Sequence, residues 1–206
     1  MDTKICGATI VMLARHFEPE VASADWLVEK EILTEKVNNF VHTPVVSATQ
    51  TDSLNVVVEE RRVQIALGSP ATADLAMLAQ AAERFVRALP DAAYTALGLN
   101  YAFAVPRGAC DLRLLLAPKT AKLTKVFAEH YELGIIVAFE YKSFRVRLNA
   151  PPVGGLPGMS PSDVAIDFNF HRDARSSDEI LVGIAQHAEI RAKAEQVVNN
   201  LCPSDN

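Results

Sequence analysis

The sequence predicts an α+β protein in which a mainly antiparallel β-sheet carries helices on one of its faces. A hairpin pattern with alternating apolar residues and a polar turn occurs twice, at 56–67 and at 137–148. Each copy precedes an amphipathic helix pattern, at 71–89 and, after one more strand, at 177–201. Alternating residues indicate strands with one buried face, and helical spacing of apolar residues indicates rods that bury one side.

The repetition also predicts how the chain is organised. We expect one globular unit, 1–206, that is pseudo-duplicated, with internal halves at 1–90 and 91–206. The last helix pattern covers roughly 25 residues, which at about 1.5 Å per residue would span nearly 40 Å. A rod of that length predicts a sheet that curves around the C-terminal helix, as in helix-grip or saddle-like proteins.

The first half opens with a buried strand. The apolar, β-branched run at 5–13 favours that strand. Ser23 is a candidate N-cap for a helix that ends near Asn38, and a strand is expected at 43–49. Pro44 would lie at the start of that strand, where a missing N–H is tolerated.

The helix after the first hairpin has recognisable end signals. Ser69 can cap it, Pro70 suits the first helical position, and Pro90 stops it. The strand predicted next, at 94–105, has large residues on one face. Its other face is small or polar, with Ala96, Gly98, Asn100, Ala102 and Ala104.

The second half is expected to contain a short strand at 112–117 and a helix at 120–130. The Pro- and Gly-rich stretch 151–161 predicts a loop. An alternating strand follows at 164–171, and Ser176 with Glu179 forms a capping-box pattern that opens the last helix.

Composition excludes some classes of protein. The net charge is −5, which argues against a nucleic-acid binder because such proteins present a basic face. The three cysteines, Cys6, Cys110 and Cys202, form no close pair, so reduced thiols and a cytoplasmic location are expected. No signal peptide and no apolar run long enough to span a membrane is evident in the sequence.

The candidate site residues lie mainly on the last predicted strand. Asp167, Asn169 and His171 alternate, so their side chains share one face and could form a metal or acid–base cluster. The alternative, which the alternation favours, is the solvent-facing side of a half-buried strand. Further candidates for ligand or partner contacts are Tyr101 in the long strand and Tyr141 and Phe144 beside the second hairpin turn. No catalytic, cofactor or metal motif is predicted.

Two short segments resemble a sporadically distributed family of uncharacterised bacterial proteins. One is Phe17-Glu18-Pro19, an F-x-P turn after the first strand, and the other is 95–101, which reads T-A-L-G-L-N-Y. The resemblance covers about the first half of the chain. It implies a mobile-element, phage or defence context, and it implies no catalytic residue.

These observations favour a non-enzymatic interaction or assembly protein of the bacterial cytoplasm that binds a protein partner or itself. One alternative is a small-molecule binder with a cavity between the sheet and the C-terminal helix. The other is a hydrolase or metal enzyme. Neither a nucleic acid nor a membrane is expected as a partner.

Overall fold

The computed structural model describes residues 4–68, 74–106, 126, 134–151 and 163–202. They form one antiparallel sheet of nine strands in the order β2-β3-β4-β5-β1-β6-β9-β8-β7, with four helices, which confirms the α+β prediction. The strands are β1 Lys4–Ala14, β2 Asn39–His42, β3 Val46–Gln50, β4 Leu54–Glu59, β5 Arg62–Leu67, β6 Tyr94–Pro106, β7 Ile135–Tyr141, β8 Phe144–Ala150 and β9 Asp163–Asp173. The helices are α1 Ala24–Glu29, α2 Leu75–Ala88, α3 Ser177–Ala185 and α4 His187–Leu201.

The core lies between the helices and one face of this sheet. Helix α2 packs on β1 and β5, α3 and α4 pack on β6, and α2 touches α3. One row of apolar side chains crosses six neighbouring strands, with every member at most 2 % exposed: Val56, Ile65, Ile10, Leu99, Phe170 and Val146. Burying each such side chain contributes about 1.5–3 kcal/mol, so this row is a main source of stability.

The two halves of the chain have corresponding topologies. In the first half, β1 pairs with β5, the last strand of the meander β2-β3-β4-β5, and helix α2 follows. In the second half, β6 pairs with β9, the last strand of β7-β8-β9, and helix α3 follows. The equivalent strands β1 and β6 pair antiparallel at the centre of the sheet. Strand β2 pairs with the outer side of β3 and has no counterpart among the described strands of the second half.

The predicted helix from Ser23 to Asn38 is wrong in its length, because α1 ends at Glu29. Ser23 does cap it, accepting a hydrogen bond from the Trp26 N–H. Glu31 then adopts a left-handed conformation, with φ of 55°. The chain reverses there, and the N–H groups of Ile32 and Leu33 both donate to the Leu27 carbonyl.

The strand predicted at 43–49 is present as β3, but it starts at Val46 and not at Thr43. Thr43 begins a turn that contains Pro44, and the Thr43 N–H donates to the Val46 carbonyl at 2.9 Å. Strand β3 starts only after this turn, and strand β2 comes before it. Proline cannot donate to a ladder, so it lies in the turn, outside both strands.

Helix α2 starts later than predicted. Asp74 is its N-cap and accepts from the N–H groups of Ala76 and Met77. The predicted capping residues Ser69 and Pro70 lie outside the described residues, as do the strand at 112–117, most of the helix at 120–130 and most of the loop at 151–161. The end of α2 at Ala88, just before Pro90, agrees with the prediction.

The predicted single C-terminal helix is two helices. They meet at Gln186, whose N–H donates to the Gly183 carbonyl and whose own carbonyl accepts from Ile190. Ser176 accepts from the Glu179 N–H as the capping box requires, but Glu179 accepts from the N–H of Arg175 and not from that of Ser176. Helix α4 alone, at about 1.5 Å per residue, is too short to cross the whole sheet.

The cysteines also differ from the prediction. Cys202, at the end of α4, is disulfide-bonded, whereas Cys6 is a free thiol. Reduced thiols were expected because the cysteines are far apart in sequence, but residues distant in sequence meet through the fold.

Candidate functional site

The face of the sheet opposite the helices holds a shallow groove of ≈ 560 Å³. It crosses the middle strands β1, β6, β9 and β8. Its polar lining side chains are Cys6, Thr9, Asn100, Arg147, Asn149, Asp167 and Asn169. The predicted residues Asp167 and Asn169 therefore lie in one groove, on the shared face that their alternation implied.

Small residues make the floor of this groove. Gly7 pairs with Ala102, and Ala102 pairs with Asp167, so a glycine and an alanine leave room beside the carboxyl group. Strand β1 has a bulge here, because the register passes from Ile5 directly to Gly7 and leaves Cys6 as the extra residue. The small face of β6 that the sequence predicted forms part of this surface.

The thiol of Cys6 and the carboxyl group of Asp167 are half-buried. Burial raises the pKa of Asp167 above its ordinary value. The pKa of Cys6 rises to about 11, first because the thiol is buried and second because the negative charge of Asp167 is close. A cysteine nucleophile must be a thiolate near neutral pH, so Cys6 is unsuited to that role.

Amide groups and one cation complete the polar surface. Asn169 pairs with Asn100 on one side and with Arg147 on the other, and its amide donates to the Asn100 side-chain oxygen. Among the described side chains, none lies within ion-pair distance of Arg147. This guanidinium can therefore bind a carboxylate or a phosphate group.

His171 lies beside a different set of groups. Its Nε2 atom is 3.1 Å from Asp173 Oδ1, and Arg145 Nη2 donates to both Asp173 oxygens at 3.0 and 3.1 Å. The side chains of Arg145 and Asp173 are 65 % and 74 % exposed, so solvent screens this cluster and it contributes little to stability. His171 does not line the groove.

Tyr101 faces the helices. Its hydroxyl group donates to the His187 carbonyl at 3.0 Å, and burial raises its pKa well above the ordinary value. The residue is only 4 % exposed and ties β6 to the start of α4. The sequence could not show this contact because the partner is 86 residues away.

The second hairpin turn does not project as a free contact element. Phe144 is 1 % exposed and packs against Phe170, with ring centroids 6.4 Å apart, so its predicted role as an external contact is wrong. The Tyr141 hydroxyl donates to Glu189 at 3.3 Å, and Lys142 also pairs with Glu189. The turn is therefore fastened to α4.

The edges of the sheet are the other prominent surface. Phe40 and Val41 on β2 are 62 % and 52 % exposed, and Ile136 and Val137 on β7 are 61 % and 42 % exposed. The sequence missed β2 altogether. The signal for β7 was present in the run Ile135–Val137, because apolar residues at successive positions put apolar side chains on both faces of a strand.

No helix in the described ranges is long and apolar enough to cross a bilayer. Within those ranges, no three His, Cys, Asp or Glu residues are grouped so that they could hold a metal ion. No family model matches the chain, and no curated protein sequence matches it either. Arguments about function therefore depend on the geometry of this chain.

Proposed function

We propose that this protein is a non-enzymatic interaction or assembly protein, which binds another polypeptide by adding a strand to an open edge of its sheet. The observation that carries this proposal is the exposure of apolar side chains on the two edge strands, β2 and β7. An edge strand presents unpaired N–H and C=O groups, and an incoming strand satisfies them.

Strand β7 has little of the protection that monomeric proteins give to their edges. It contains neither lysine nor proline, its only charged residue is Glu140, and it pairs with β8 over seven residues with no bulge. Such an edge in a monomer promotes aggregation, so an edge of this composition favours a strand-pairing partner.

The polar groove supports a non-enzymatic role as well. Its thiol has a pKa of about 11, and its carboxyl group has a raised pKa from burial alone. Among the described histidines, His171 is the nearest in sequence to the groove residue Asn169, and its Nε2 atom lies next to Asp173. General acid–base catalysis needs a base and an orienting partner at the same site, and the groove lacks this arrangement among the described residues.

A matched set of substitutions tests the proposal. Sedimentation velocity of wild-type protein from about 1 to 200 µM covers the affinity range of weak assemblies. We expect concentration-dependent association, and we expect the double variant Val41→Asp, Ile136→Asp to lose it. Val182→Asp is the control, because Val182 is 53 % exposed but lies on α3, away from both edges. Equal loss in the control would contradict edge pairing.

A second candidate function is the binding of a small anionic ligand in the groove. The guanidinium of Arg147 favours it, because no described carboxylate lies within ion-pair distance of that group. The described part of the sheet–helix layer is closely packed, with Leu97, Leu99 and Val198 at 0 % exposure, so this candidate belongs on the open face. Calorimetric titration of wild type and Arg147→Gln with a panel of small carboxylates and with inorganic phosphate tests it. Equal heats for the two proteins would exclude it.

The bacterial, phage or defence setting and the cytoplasmic location stay predictions from the sequence. Co-purification from the native host, with the partner identified by mass spectrometry and then rebuilt from purified components, would test them.

A further inference from the structure

We propose that β7 pairs with β7 of a second copy, antiparallel, about a two-fold axis normal to the sheet. This inference rests on the proposed function and names its partner. The two nine-stranded sheets would join into one continuous sheet, with α2, α3 and α4 of both copies on the same side.

The directions of the strands favour this arrangement. All neighbouring strands are antiparallel and there are nine of them, so the first and last strands, β2 and β7, run in the same direction. With the helix-bearing faces on one side, β7 of one copy would meet β2 of another in parallel. Only like edges that are related by a two-fold axis meet antiparallel. Antiparallel pairing is the more stable kind of strand pairing, and two-fold symmetry is the commonest symmetry of dimers.

The molecule already contains the same kind of junction. Its two halves meet where β1 and β6, the equivalent strands, pair antiparallel, with Ile10 opposite Leu99. At the outer side of the first half, β2 covers β3. The counterpart of β3 is β7, which is the outermost strand of the second half in the described part of the chain. Among the described residues, no strand of the second half fills the position that β2 fills in the first.

The hydrogen-bonding groups of β7 determine the register. A two-residue turn joins Tyr141 to Phe144, so that pair is hydrogen-bonded within the hairpin and alternate pairs follow it. The N–H and C=O groups of Ile136, Ala138 and Glu140 are then directed at the open edge. A two-fold axis beside Ala138 pairs all three residues with their counterparts.

Side chains are complementary in this register. On the open face, Ile136 lies opposite Glu140 of the second copy, so no like charges meet. On the helix-bearing face, the exposed Val137 lies opposite Phe139 of the second copy, and Phe139 packs against the hydrophobic core. The apolar layer therefore continues from one copy to the other.

Seven residues on each side make a small interface, so the dimer is expected to be weak, with a Kd of about 1–100 µM. Cross-linking detects such a dimer. In the Cys6→Ser background, Ala138→Cys places two thiols on the same face of a directly opposed pair, at a Cα separation of about 5.5 Å that suits a disulfide. Val41→Cys, on the other edge, is the control. We expect an interchain disulfide in the first variant and none in the second.

Two substitutions at one position test the register. Ile136→Lys would face Glu140 of the second copy and keep the dimer, whereas Ile136→Glu would face the same carboxylate and weaken association at least tenfold. Equal weakening by both variants would overturn the Ala138-centred register and, with it, the proposal.

Amide hydrogen exchange separates failure of this inference from failure of the proposed function. Dimers that cross-link only through Val41→Cys overturn the β7 pairing and leave edge-mediated assembly standing. A monomer with protected β7 amides means that the same chain covers this edge, which overturns the inference. A monomer with rapidly exchanging amides on both edges, and no strand-adding partner, overturns both.

Discussion

The hydroxyl group of Tyr101 donates a hydrogen bond to the carbonyl of His187 at 3.0 Å, and this bond joins the central strand β6 to the first residue of α4. It lies next to Gln186, where the C-terminal helical region divides into α3 and α4. Tyr101 also packs edge-on against Phe170, with ring centroids 6.3 Å apart. One side chain therefore contributes both to the core and to the position of α4.

Tyr101→Phe removes this hydrogen bond and keeps the ring. We expect the free energy of unfolding to fall by about 1 kcal/mol, the net contribution of a typical protein hydrogen bond. Urea titration monitored by circular dichroism measures it. Tyr141→Phe is the control, because its hydroxyl group makes a longer and exposed contact with Glu189, and a change of a few tenths of a kcal/mol at most is expected there. Equal losses would contradict a special role for Tyr101.

Alkaline pH should destabilise the protein through the same residue. Burial raises the pKa of Tyr101 above its ordinary value of 10.0, so above that pH the unfolded chain loses the phenolic proton while the folded protein keeps it. The stabilisation is complete below pH 10 and is lost as the pH rises further, by up to about 1.4 kcal/mol per pH unit. Urea titrations at pH 9, 10 and 11 should show a smaller decline for Tyr101→Phe than for wild type, and parallel declines would refute the assignment.

Gly183 determines how closely α3 approaches the sheet. A Cβ atom at this position would overlap the Leu97 side chain, which is 0 % exposed and cannot move into solvent. Gly183→Ala should lower stability by about 1–3 kcal/mol, because overpacking outweighs the helix propensity of alanine. Pairing it with Leu97→Val should recover part of that loss. Additive effects in this double-mutant cycle would show that the two side chains do not meet.

The sequence predicted the layers of this fold because they follow from local periodicity. The hairpin with Val56, Val58, Val63 and Ile65 has those residues at most 1 % exposed, and the alternating strand that contains Phe168 and Phe170 is β9. Errors arose where a single residue changes the direction of the chain. Glu31, two residues after the end of α1, has a left-handed conformation that is uncommon for glutamate. Gln186 divides the last helix without a glycine or a proline at that position.

Long-range pairing limited what could be predicted of the site. The alternation of Asp167, Asn169 and His171 showed that they share a face, but not that Asp167 lies near Cys6 or that His171 pairs with Asp173. Those contacts depend on the register between strands far apart in sequence. Burial of Phe144 was missed for a related reason, because residues beside a hairpin turn are usually exposed and here α4 lies next to the turn.

Alkylation of Cys6 tests the electrostatics of the groove directly. With a pKa of about 11 against an ordinary 9.0, the folded protein holds about a hundredfold less thiolate at pH 8 than an unfolded peptide does, and it should react with iodoacetamide correspondingly more slowly. Asp167→Asn removes the negative charge that contributes most to this shift, so it should speed alkylation. Asp163→Asn is the matched control, since Asp163 has the smallest influence on the thiol. Mass spectrometry of the Cys6 peptide gives the rates, and equal acceleration by both substitutions would show that Asp167 is not the nearer carboxylate.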